Sequence, residues 1–363
     1  MYNNPVKTIE THDWKRILGK SLQELKIQNP ILVTSSGNIE RNKLSSITDD
    51  GRIFTDIQNN PTFASCEKAI NYIKNVKCDG IIALGGGSVM DTAKVMMAAI
   101  GTDIYALREL LAFDAKFPHR IPAIFIPTTH GTASEVTMWG AIWNMEEKQK
   151  YSLSHPSLYP DIAILDAKLT LSMDMQLSIT TVLDALSHSF ETIWNKNSNP
   201  QSLDYASKSI KLILEEVPKL KKNPYDLEVR EKLLQASNLA GLAFSNTKTA
   251  AAHSISYPLT FSYSIPHGIA CSMPIIPLLQ LNKEAIEIEL NKLLLFLNIN
   301  YKELENQILE IPKNIIDFKL SKWGIKSENI DEIVNRSFTK SRISNNVVEL
   351  NHKDVRHLLE QIM

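Results

Sequence analysis

The chain has 363 residues, more than a single hydrophobic core usually supports, which favours two domains. Hydrophobic residues make up 44% and charged residues 22%, as in ordinary globular proteins, and a formal net charge of -1 gives no overall attraction to nucleic acid or anionic membranes. The cysteines Cys66, Cys78 and Cys271 form no CxxC pair, and neither a membrane-spanning run nor a signal-peptide pattern is present. We therefore expect a cytoplasmic protein with reduced thiols, and neither nucleic acid nor a membrane as its partner.

In the first half of the chain, short apolar runs alternate with segments of helical spacing. Strands are predicted at residues 30–34, 81–84 and 121–126, and helices at residues 69–76 and 88–100. Continuous apolar runs without alternation are typical of parallel strands that are buried on both faces. The pattern predicts a parallel α/β sheet with crossover helices, where ligands bind beyond the carboxyl ends of the strands.

Two loops that follow predicted strands carry phosphate-binding chemistry. Residues 85–88 (GGGS) open a helix that also carries Asp91 and Lys94. Glycines there let the backbone approach a phosphate, and the helix N-terminus presents free N–H groups to it. The hydroxyl-rich residues 128–132 (TTHGT) follow the next strand and could close over the same pyrophosphate. Because GxGxxG is absent, a tight strand-to-helix turn and an ordinary polar loop remain the alternatives.

The second half of the chain is predicted to be helical. Helical patterns cover residues 181–194, 202–216, 226–243, 283–297, 301–309 and 352–362. Asn-Pro pairs separate the first three of them, and strand signals nearly vanish apart from short runs such as residues 272–277. We predict an α/β domain over residues 1–179 and an all-helical domain over residues 180–363.

One helix and two later histidines form a candidate metal site. Asp184 and His188 are four residues apart in VLDALSHSFE, so a helix would present both on one face. His253 and His267 add two imidazoles, and the prolines between them rule out one unbroken helix. One carboxylate and three imidazoles suit Fe²⁺, Zn²⁺, Ni²⁺ or Co²⁺ better than Ca²⁺ or Mg²⁺. The alternative is a set of unrelated structural histidines.

Taken together, these motifs make the sequence resemble the iron-containing, metal-dependent alcohol dehydrogenases over nearly its whole length. The resemblance rests on NPT at residues 60–62, GGGSVMDTAK, PTTHGTASEVT, LDALSHSFE, AGLAFSNT and IPHG. It implies an N-terminal dinucleotide-binding α/β domain followed by an all-helical metal-binding domain, and a homodimer. The order and spacing of Asp184, His188, His253 and His267 match the metal ligands of that family.

The resemblance also implies a nicotinamide cofactor. The residues that match its binding motifs are Asn60, Gly86, Gly87, Ser88, Asp91, Thr128, Thr129, Thr132 and Lys150. Family members often carry an acidic residue after the first strand, which repels the 2′-phosphate of NADP, and Ser35 stands there in this chain. We therefore expect NADP(H) to be accepted as well as NAD(H).

Two departures from the family concern the substrate. Tyr257 stands where the family often has a proton-relaying histidine, and its phenol is the weaker base at neutral pH. Lys248 replaces a small neutral residue, in a stretch that is similar to the phosphonoacetaldehyde reductase branch. An ammonium group suits a substrate with an anionic end, such as a phosphonate. The alternative is a solvated surface lysine.

The predicted function is hydride transfer between NAD(P)(H) and an aldehyde–alcohol pair, assisted by the metal, with Tyr257 and Lys248 acting on the substrate. Phosphonoacetaldehyde is the expected aldehyde. The alternatives are a general alcohol dehydrogenase for short neutral substrates and a dehydroquinate-synthase-like lyase. A non-catalytic metal- or nucleotide-binding protein is a further alternative.

Overall fold

The computed structural model describes residues 3–44, 47–48, 50–114 and 116–363. The chain divides into two compact units. The α/β unit comprises Pro5–Thr129 and Ala133–Thr170, and the helical unit comprises Leu171–Met363 with the short segment His130–Thr132 and the described N-terminal residues 3–4. The sequence predicts two functional domains, residues 1–179 and 180–363. The two compact units are defined by packing and not by function, so these functional domains stay a prediction.

The α/β unit is built on a parallel sheet with the strand order β1-β8-β5-β4-β2-β3. β6 and β7 form an antiparallel hairpin beside it. The strands are β1 (Lys7–Glu10), β2 (Pro30–Thr34), β3 (Ile53–Phe54), β4 (Gly80–Gly85), β5 (Ala123–Pro127), β6 (Trp139–Asn144), β7 (Gln149–Ser154) and β8 (Ile162–Leu165). Because β2, β4, β5 and β8 are buried along their whole length, their sequences are continuous apolar runs.

Apolar side chains from alternating positions of these strands enter two separate cores. Ile31 and Val33 contribute to the core that also contains Ala93 and Met97, whereas Leu32 belongs to the core on the other side. The helices of this unit are α1 (Trp14–Glu24), α2 (Ser36–Asn42), α3 (Phe63–Lys74), α4 (Gly87–Thr102) and α5 (Leu107–Ala112). Packing on both faces is what a parallel sheet requires.

The helical unit has one large apolar core. Its helices are α6 (Met175–Ile193), α7 (Pro200–Lys222), α8 (Leu227–Thr247), α9 (Ala251–Tyr263), α10 (His267–Ser272), α11 (Ile275–Asn282), α12 (Glu287–Leu297), α13 (Tyr301–Glu310), α14 (Ile330–Arg336), α15 (Lys340–Ile343) and α16 (His352–Gln361). α6 is buried on nearly all sides, so polar residues on it need partners inside the protein. The predicted order, a parallel α/β fold followed by helices, is confirmed.

The structure corrects several local expectations. α9 continues through Pro258, and the chain turns only at Ser264, which has left-handed backbone angles (φ 55°, ψ 26°). The break expected between His253 and His267 is therefore present, but Pro258 does not cause it. Most of residues 272–277, a short apolar run in the sequence, is helical. Among the described residues, no helix is both long and apolar enough to cross a bilayer.

Candidate functional site

Asp184 and His188 lie one turn apart on α6. The helix is capped by Asp174, whose side chain accepts a hydrogen bond from the backbone N–H of Leu177 at 2.7 Å. Both side chains are almost fully buried, and Asp184 Oδ1 lies 4.0 Å from His188 Nε2. The structure thus brings these two side chains to one point, as helical spacing predicts.

His253 is held in place by Glu191, a residue that the sequence analysis did not identify. α9 begins after Ala250, which has no side chain to cap the helix. Glu191 supplies the missing acceptor, because its Oε1 accepts the backbone N–H of His253 at 3.0 Å. Its Oε2 lies 2.6 Å from His253 Nδ1, so one fully buried carboxylate both caps α9 and orients the imidazole ring.

The cluster of Asp184, His188 and His253 fits a metal ion. One ligand atom from each residue lies within 4.8 Å of the other two. His253 Nε2 is buried, makes no hydrogen bond to any residue that the structure describes, and lies 3.7 Å from Asp184 Oδ1. A buried donor set of one carboxylate and two imidazoles, one of them with an unused ring nitrogen, is the chemistry that a first-row transition metal requires.

His267 lies beside this cluster but outside its 4.8 Å group. It begins α10, its ring centroid is 5.2 Å from that of His253, and its side chain is half-buried. Gly268 permits the close approach of α10 to α6, since a Cβ there would lie 2.1 Å from the carbonyl oxygen of Thr180. The structure thus places His267 next to the other three predicted ligands, and its role as the fourth ligand stays a prediction.

The charges in the cluster favour a bound cation. Burial raises the pKa of Asp184, but the imidazoles of His188, His253 and His267 outweigh it and hold that pKa far below its usual range. Burial lowers the pKa of His253, but the carboxylates of Glu191 and Asp184 outweigh it and raise that pKa to about 9. His253 therefore lies where positive charge is stabilised, and a metal ion would compete with the proton for its imidazole.

The two residues predicted to act on the substrate differ in exposure. Tyr257 is buried on α9, one turn after His253, and its ring stacks on that of His267 with centroids 6.2 Å apart. Lys248 is exposed directly after α8, in the short segment that leads into α9. The structure therefore places Tyr257 beside His267, whereas Lys248 lies at the surface of the same unit.

The glycine-rich turn in the α/β unit joins β4 to α4. Gly86 caps the helix and approaches Thr129 so closely that a Cβ would lie 3.2 Å from its side chain. Gly87 and Ser88 open the helix, and Ser88 Oγ accepts the backbone N–H of Asn60 at 3.2 Å. The predicted cofactor residues Asn60, Gly86, Gly87, Ser88 and Thr129 are thus neighbours, with the helix N-terminus among them.

Asp91 and Lys94 on α4 belong to a buried polar network. Lys94 Nζ donates to Ser134 O, Ser134 Oγ, Thr137 Oγ1 and Trp139 O at 2.8 to 3.0 Å. Burial raises the pKa of Asp91 to about 6, although the Lys94 ammonium opposes the increase. Because its donors are already used, Lys94 anchors residues 134–139 and is not available to a phosphate.

The remaining predicted cofactor residues lie at separate places. Ser35 is the residue that precedes α2, at the carboxyl end of β2, and Thr128 donates its backbone N–H to Gly85 O at 3.1 Å. Lys150 lies on β7 with its Nζ 5.2 Å from the centroid of the Trp143 ring. Thr132 belongs to the short segment that is part of the helical unit. Their cofactor contacts stay predictions.

A further buried histidine, His130, belongs to a network that the sequence analysis also missed. The fully buried guanidinium of Arg230 donates to His130 Nε2 at 3.3 Å, to Ser178 Oγ and to the carbonyl oxygen of Met173. Since Nε2 accepts, the neutral ring carries its proton on Nδ1, which lies 3.2 Å from Thr181 Oγ1. These partners are about 50 to 100 residues apart in sequence, so no local pattern indicates them.

Comparisons with known proteins give relatives for the whole chain. Residues 5–167 match the profile of the family described as iron-containing alcohol dehydrogenase, and residues 178–363 match that of its C-terminal domain. The chain is 36% identical over 215 residues to the probable alcohol dehydrogenase EutG of Escherichia coli (strain K12), covering 59% of this chain and 54% of that protein. The chain thus spans about half the length of such curated relatives.

Two further relatives have names that specify an aldehyde. The phosphonoacetaldehyde reductase of Streptomyces viridochromogenes is 30% identical over 216 residues, which is 58% of this chain and 55% of that protein. The solved structure of the sulfoacetaldehyde reductase from Bifidobacterium kashiwanohense in complex with NAD+ is 27% identical, with a TM-score of 0.91. That comparison covers 100% of this chain and 98% of the other. The two profile matches cover nearly all of the chain, and it belongs to the iron-containing alcohol dehydrogenase family.

Proposed function

We propose that the protein is a metal-dependent NAD(P)(H) oxidoreductase that interconverts an aldehyde and a primary alcohol by hydride transfer. Its proposed substrate pair is phosphonoacetaldehyde and 2-hydroxyethylphosphonate. The buried carboxylate–imidazole cluster supports the reaction class, together with membership of the family. The observation that carries the substrate is the exposed ammonium group of Lys248 in the segment that leads to His253.

Each group of the site has a task in this reaction. Asp184, His188, His253 and His267 would hold Fe²⁺, or Zn²⁺, Ni²⁺ or Co²⁺, while Glu191 orients the imidazole of His253. When bound, the metal polarises the substrate oxygen and the nicotinamide supplies or accepts the hydride. Tyr257, buried beside His267, would donate or accept a proton at its phenol oxygen.

The cofactor would be anchored at the glycine-rich turn of the α/β unit. Gly86 and Gly87 leave room for a pyrophosphate at the start of α4, where backbone N–H groups are unpaired within the helix. Asn60, Ser88, Asp91, Thr128, Thr129, Thr132 and Lys150 complete the proposed contacts. The serine at position 35 carries no charge to repel a 2′-phosphate, so NADP(H) should serve as well as NAD(H). The homodimer and the cytoplasmic location stay predictions from the family resemblance and the sequence.

Lys248 supports a substrate with an anionic end for two reasons. Its ammonium group makes no ion pair or hydrogen bond with any residue that the structure describes, and therefore remains available to a ligand. In addition, two relatives are named as reductases of phosphonoacetaldehyde and sulfoacetaldehyde, both small aldehydes that carry an oxyanion. A charge-assisted hydrogen bond to such an oxyanion stabilises a complex by roughly 1.5–3 kcal/mol.

The proposal is tested by measuring the preference for an anionic aldehyde in the variant Lys248→Met. This substitution keeps the aliphatic stem of the side chain and removes its charge. We define the selectivity ratio as kcat/KM for phosphonoacetaldehyde divided by kcat/KM for propionaldehyde. This ratio should fall about ten- to a hundredfold, since about 1.4 kcal/mol corresponds to one decade. The matched control is Lys353→Met on α16, which removes another exposed lysine and should keep the ratio.

Other outcomes would identify the alternatives. Equal losses on both aldehydes would give Lys248 a structural or cofactor role. An unchanged ratio in Lys248→Met would leave a general alcohol dehydrogenase for short neutral substrates. Sulfoacetaldehyde in the same panel decides between phosphonate and sulfonate as the preferred end group. A dehydroquinate-synthase-like lyase would show no net consumption of NADPH or NADH, and a non-catalytic protein would turn over none of the aldehydes.

A further inference from the structure

The backbone of Lys248 has an unusual conformation. Its φ is 64° and its ψ is 174°, angles that are essentially restricted to glycine because of the Cβ atom. Its N–H still donates to Phe244 O at 2.8 Å, so the strain occurs where the chain leaves α8. A non-glycine residue keeps such angles only when its surroundings impose them, and this is most common at ligand-binding sites.

Three asparagine side chains hydrogen-bond to the backbone around Lys248, and we name them the asparagine clamp: Asn195, Asn197 and Asn345. Their amide groups donate to three successive backbone carbonyl groups. Asn195 Nδ2 donates to Lys248 O at 3.0 Å, Asn345 Nδ2 to Thr249 O at 2.8 Å and Asn197 Nδ2 to Thr247 O at 3.4 Å. Each peptide unit on either side of the strained residue therefore has its own anchor.

The clamp is itself fixed by hydrogen bonds. Asn195 is almost fully buried, and its Oδ1 accepts the backbone N–H of Asn197 at 3.0 Å. The backbone N–H of Lys196 donates to Asn345 O at 2.8 Å, which joins the segment after α6 to the segment after α15. The clamp thus starts two residues after the end of α6, the helix that carries Asp184, His188 and Glu191.

We propose that the asparagine clamp is a specificity device: Asn195, Asn197 and Asn345 are positioning residues that hold Lys248 where its ammonium binds the anionic end of the substrate. This inference rests on the proposed function. A lysine side chain is long and flexible, so a fixed Cα atom limits the space that its ammonium can sample before the substrate arrives. Such ordering lowers the entropic cost of binding the anion. The clamp has no part in polarising the aldehyde, so its effect should be confined to the selectivity ratio.

The decisive experiment is a double-mutant cycle on the selectivity ratio with Asn195→Ala and Lys248→Met. Alone, Asn195→Ala should lower the ratio about five- to tenfold, mainly by raising KM for phosphonoacetaldehyde. In the Lys248→Met background it should lower the ratio no further, because the group that it positions is gone. An equal drop in both backgrounds would show that Asn195 acts independently of Lys248 and would overturn the proposal.

A matched control separates this effect from a general loss of stability. Asn282 is a buried asparagine of the helical unit that exchanges hydrogen bonds with Asn346 and makes none with residues 247–249 among those described. Asn282→Ala should lower the melting temperature and keep the selectivity ratio. If it lowered the ratio as much as Asn195→Ala does, the clamp would have no specific role.

The strain has its own test, which does not depend on the substrate. Lys248→Gly should melt at a higher temperature than Lys248→Ala, because glycine reaches the observed angles without a Cβ clash. The usual order is the reverse, since glycine gives the unfolded chain more freedom. If Lys248→Ala melted at the same or a higher temperature, the backbone would be unstrained and the clamp would have nothing to hold.

The inference and the proposed function can fail separately. If Lys248→Met lowers the selectivity ratio and Asn195→Ala does not, Lys248 binds the anion without help from the clamp, and only the inference is overturned. If Lys248→Met itself leaves the ratio unchanged, the proposed substrate is wrong, and the role of the clamp in specificity is wrong with it.

Discussion

Two of the buried histidines in the helical unit, His130 and His253, lie in opposite electrostatic surroundings. His130 lies against the guanidinium of Arg230, and burial together with that charge lowers its pKa to about 3. His253 lies between the carboxylates of Glu191 and Asp184, which raise its pKa to about 9 against the effect of burial. The two imidazoles are both buried, and their pKa values differ because the neighbouring charge is positive beside His130 and negative beside His253.

This difference indicates which network is structural and which is a site for a ligand. Every nitrogen of the His130 ring has a partner, and an added proton would face the N–H groups of Arg230. His253 keeps one buried nitrogen without a hydrogen bond among the described residues, in surroundings that stabilise positive charge. A cation is excluded from the first network and favoured in the second.

The largest effect is expected from removing an imidazole from the second network. His267→Ala should lose the metal and lower kcat/KM roughly a thousandfold, equivalent to about 4 kcal/mol of transition-state stabilisation. The measurement is elemental analysis of the purified variant together with steady-state kinetics. His357→Ala, at an exposed position on α16, is the control. Full metal content in His267→Ala would reduce the ligand set to Asp184, His188 and His253.

The first network predicts a specific loss of stability in acid. Between pH 6.5 and about 3, the unfolded chain binds a proton at His130 and the folded protein does not. The free energy of unfolding should therefore fall as the pH falls through this window, by up to about 1.4 kcal/mol per pH unit from this group. Other acids titrate as well, so the quantity to measure is the difference between the wild type and His130→Gln.

That difference should change with pH inside the window and level off above it. A constant difference would mean that His130 takes up its proton in the folded state. The pKa of His130 would then be the same in the folded and unfolded chain, and the contrast with His253 would be wrong, because neither burial nor the charge of Arg230 would have lowered that pKa.

Much of the fold was predictable because burial leaves a clear pattern in the sequence. β2 was predicted with its observed bounds, since a strand buried on both faces is a continuous apolar run. The hairpin of β6 and β7 was missed, because most of β7 is polar and exposed or half-buried. Pro258 was expected to contribute to a helix break, whereas α9 accommodates it at a buried position.

The site was predictable only where its residues share a helix. Asp184 and His188 are neighbours by spacing, but their approach to His253 depends on how α6 and α9 pack. Glu191 had a weak signal, an acid that follows His188 after about one turn in a largely apolar helical segment, together with an alanine, Ala250, where a capping side chain is expected before α9. Neither Arg230 nor the asparagine clamp had a signal in the sequence. Their hydrogen-bond partners are distant along the chain, and the accepting groups are backbone carbonyl groups or neutral side chains.

A moderate effect is expected from neutralising the carboxylate that favours the cation. Glu191→Gln keeps the size of the side chain and an acceptor for the backbone N–H of His253. It removes the negative charge and can place an amide N–H against Nδ1, so metal affinity should fall about ten- to a hundredfold. Competition with a chromogenic chelator measures this without any enzymatic assay. Unchanged affinity would mean that Glu191 only caps α9.

The smallest effect is expected at the cofactor. A fixed negative charge near the ribose should favour NADH over NADPH, just as fixed charges decide whether a cation is stabilised beside His130 or His253. Ser35→Asp introduces a carboxylate at the carboxyl end of β2, where the wild type has a half-buried neutral side chain. Repulsion of a 2′-phosphate should shift the ratio of kcat/KM for NADPH to that for NADH roughly tenfold toward NADH. The wild-type ratio itself should be at or above one. Ser35→Asn, similar in size to the aspartate variant but neutral, is the control and should keep the ratio. If Ser35→Asp left the ratio unchanged, the ribose would lie elsewhere, and the cofactor contact predicted at this residue would be wrong.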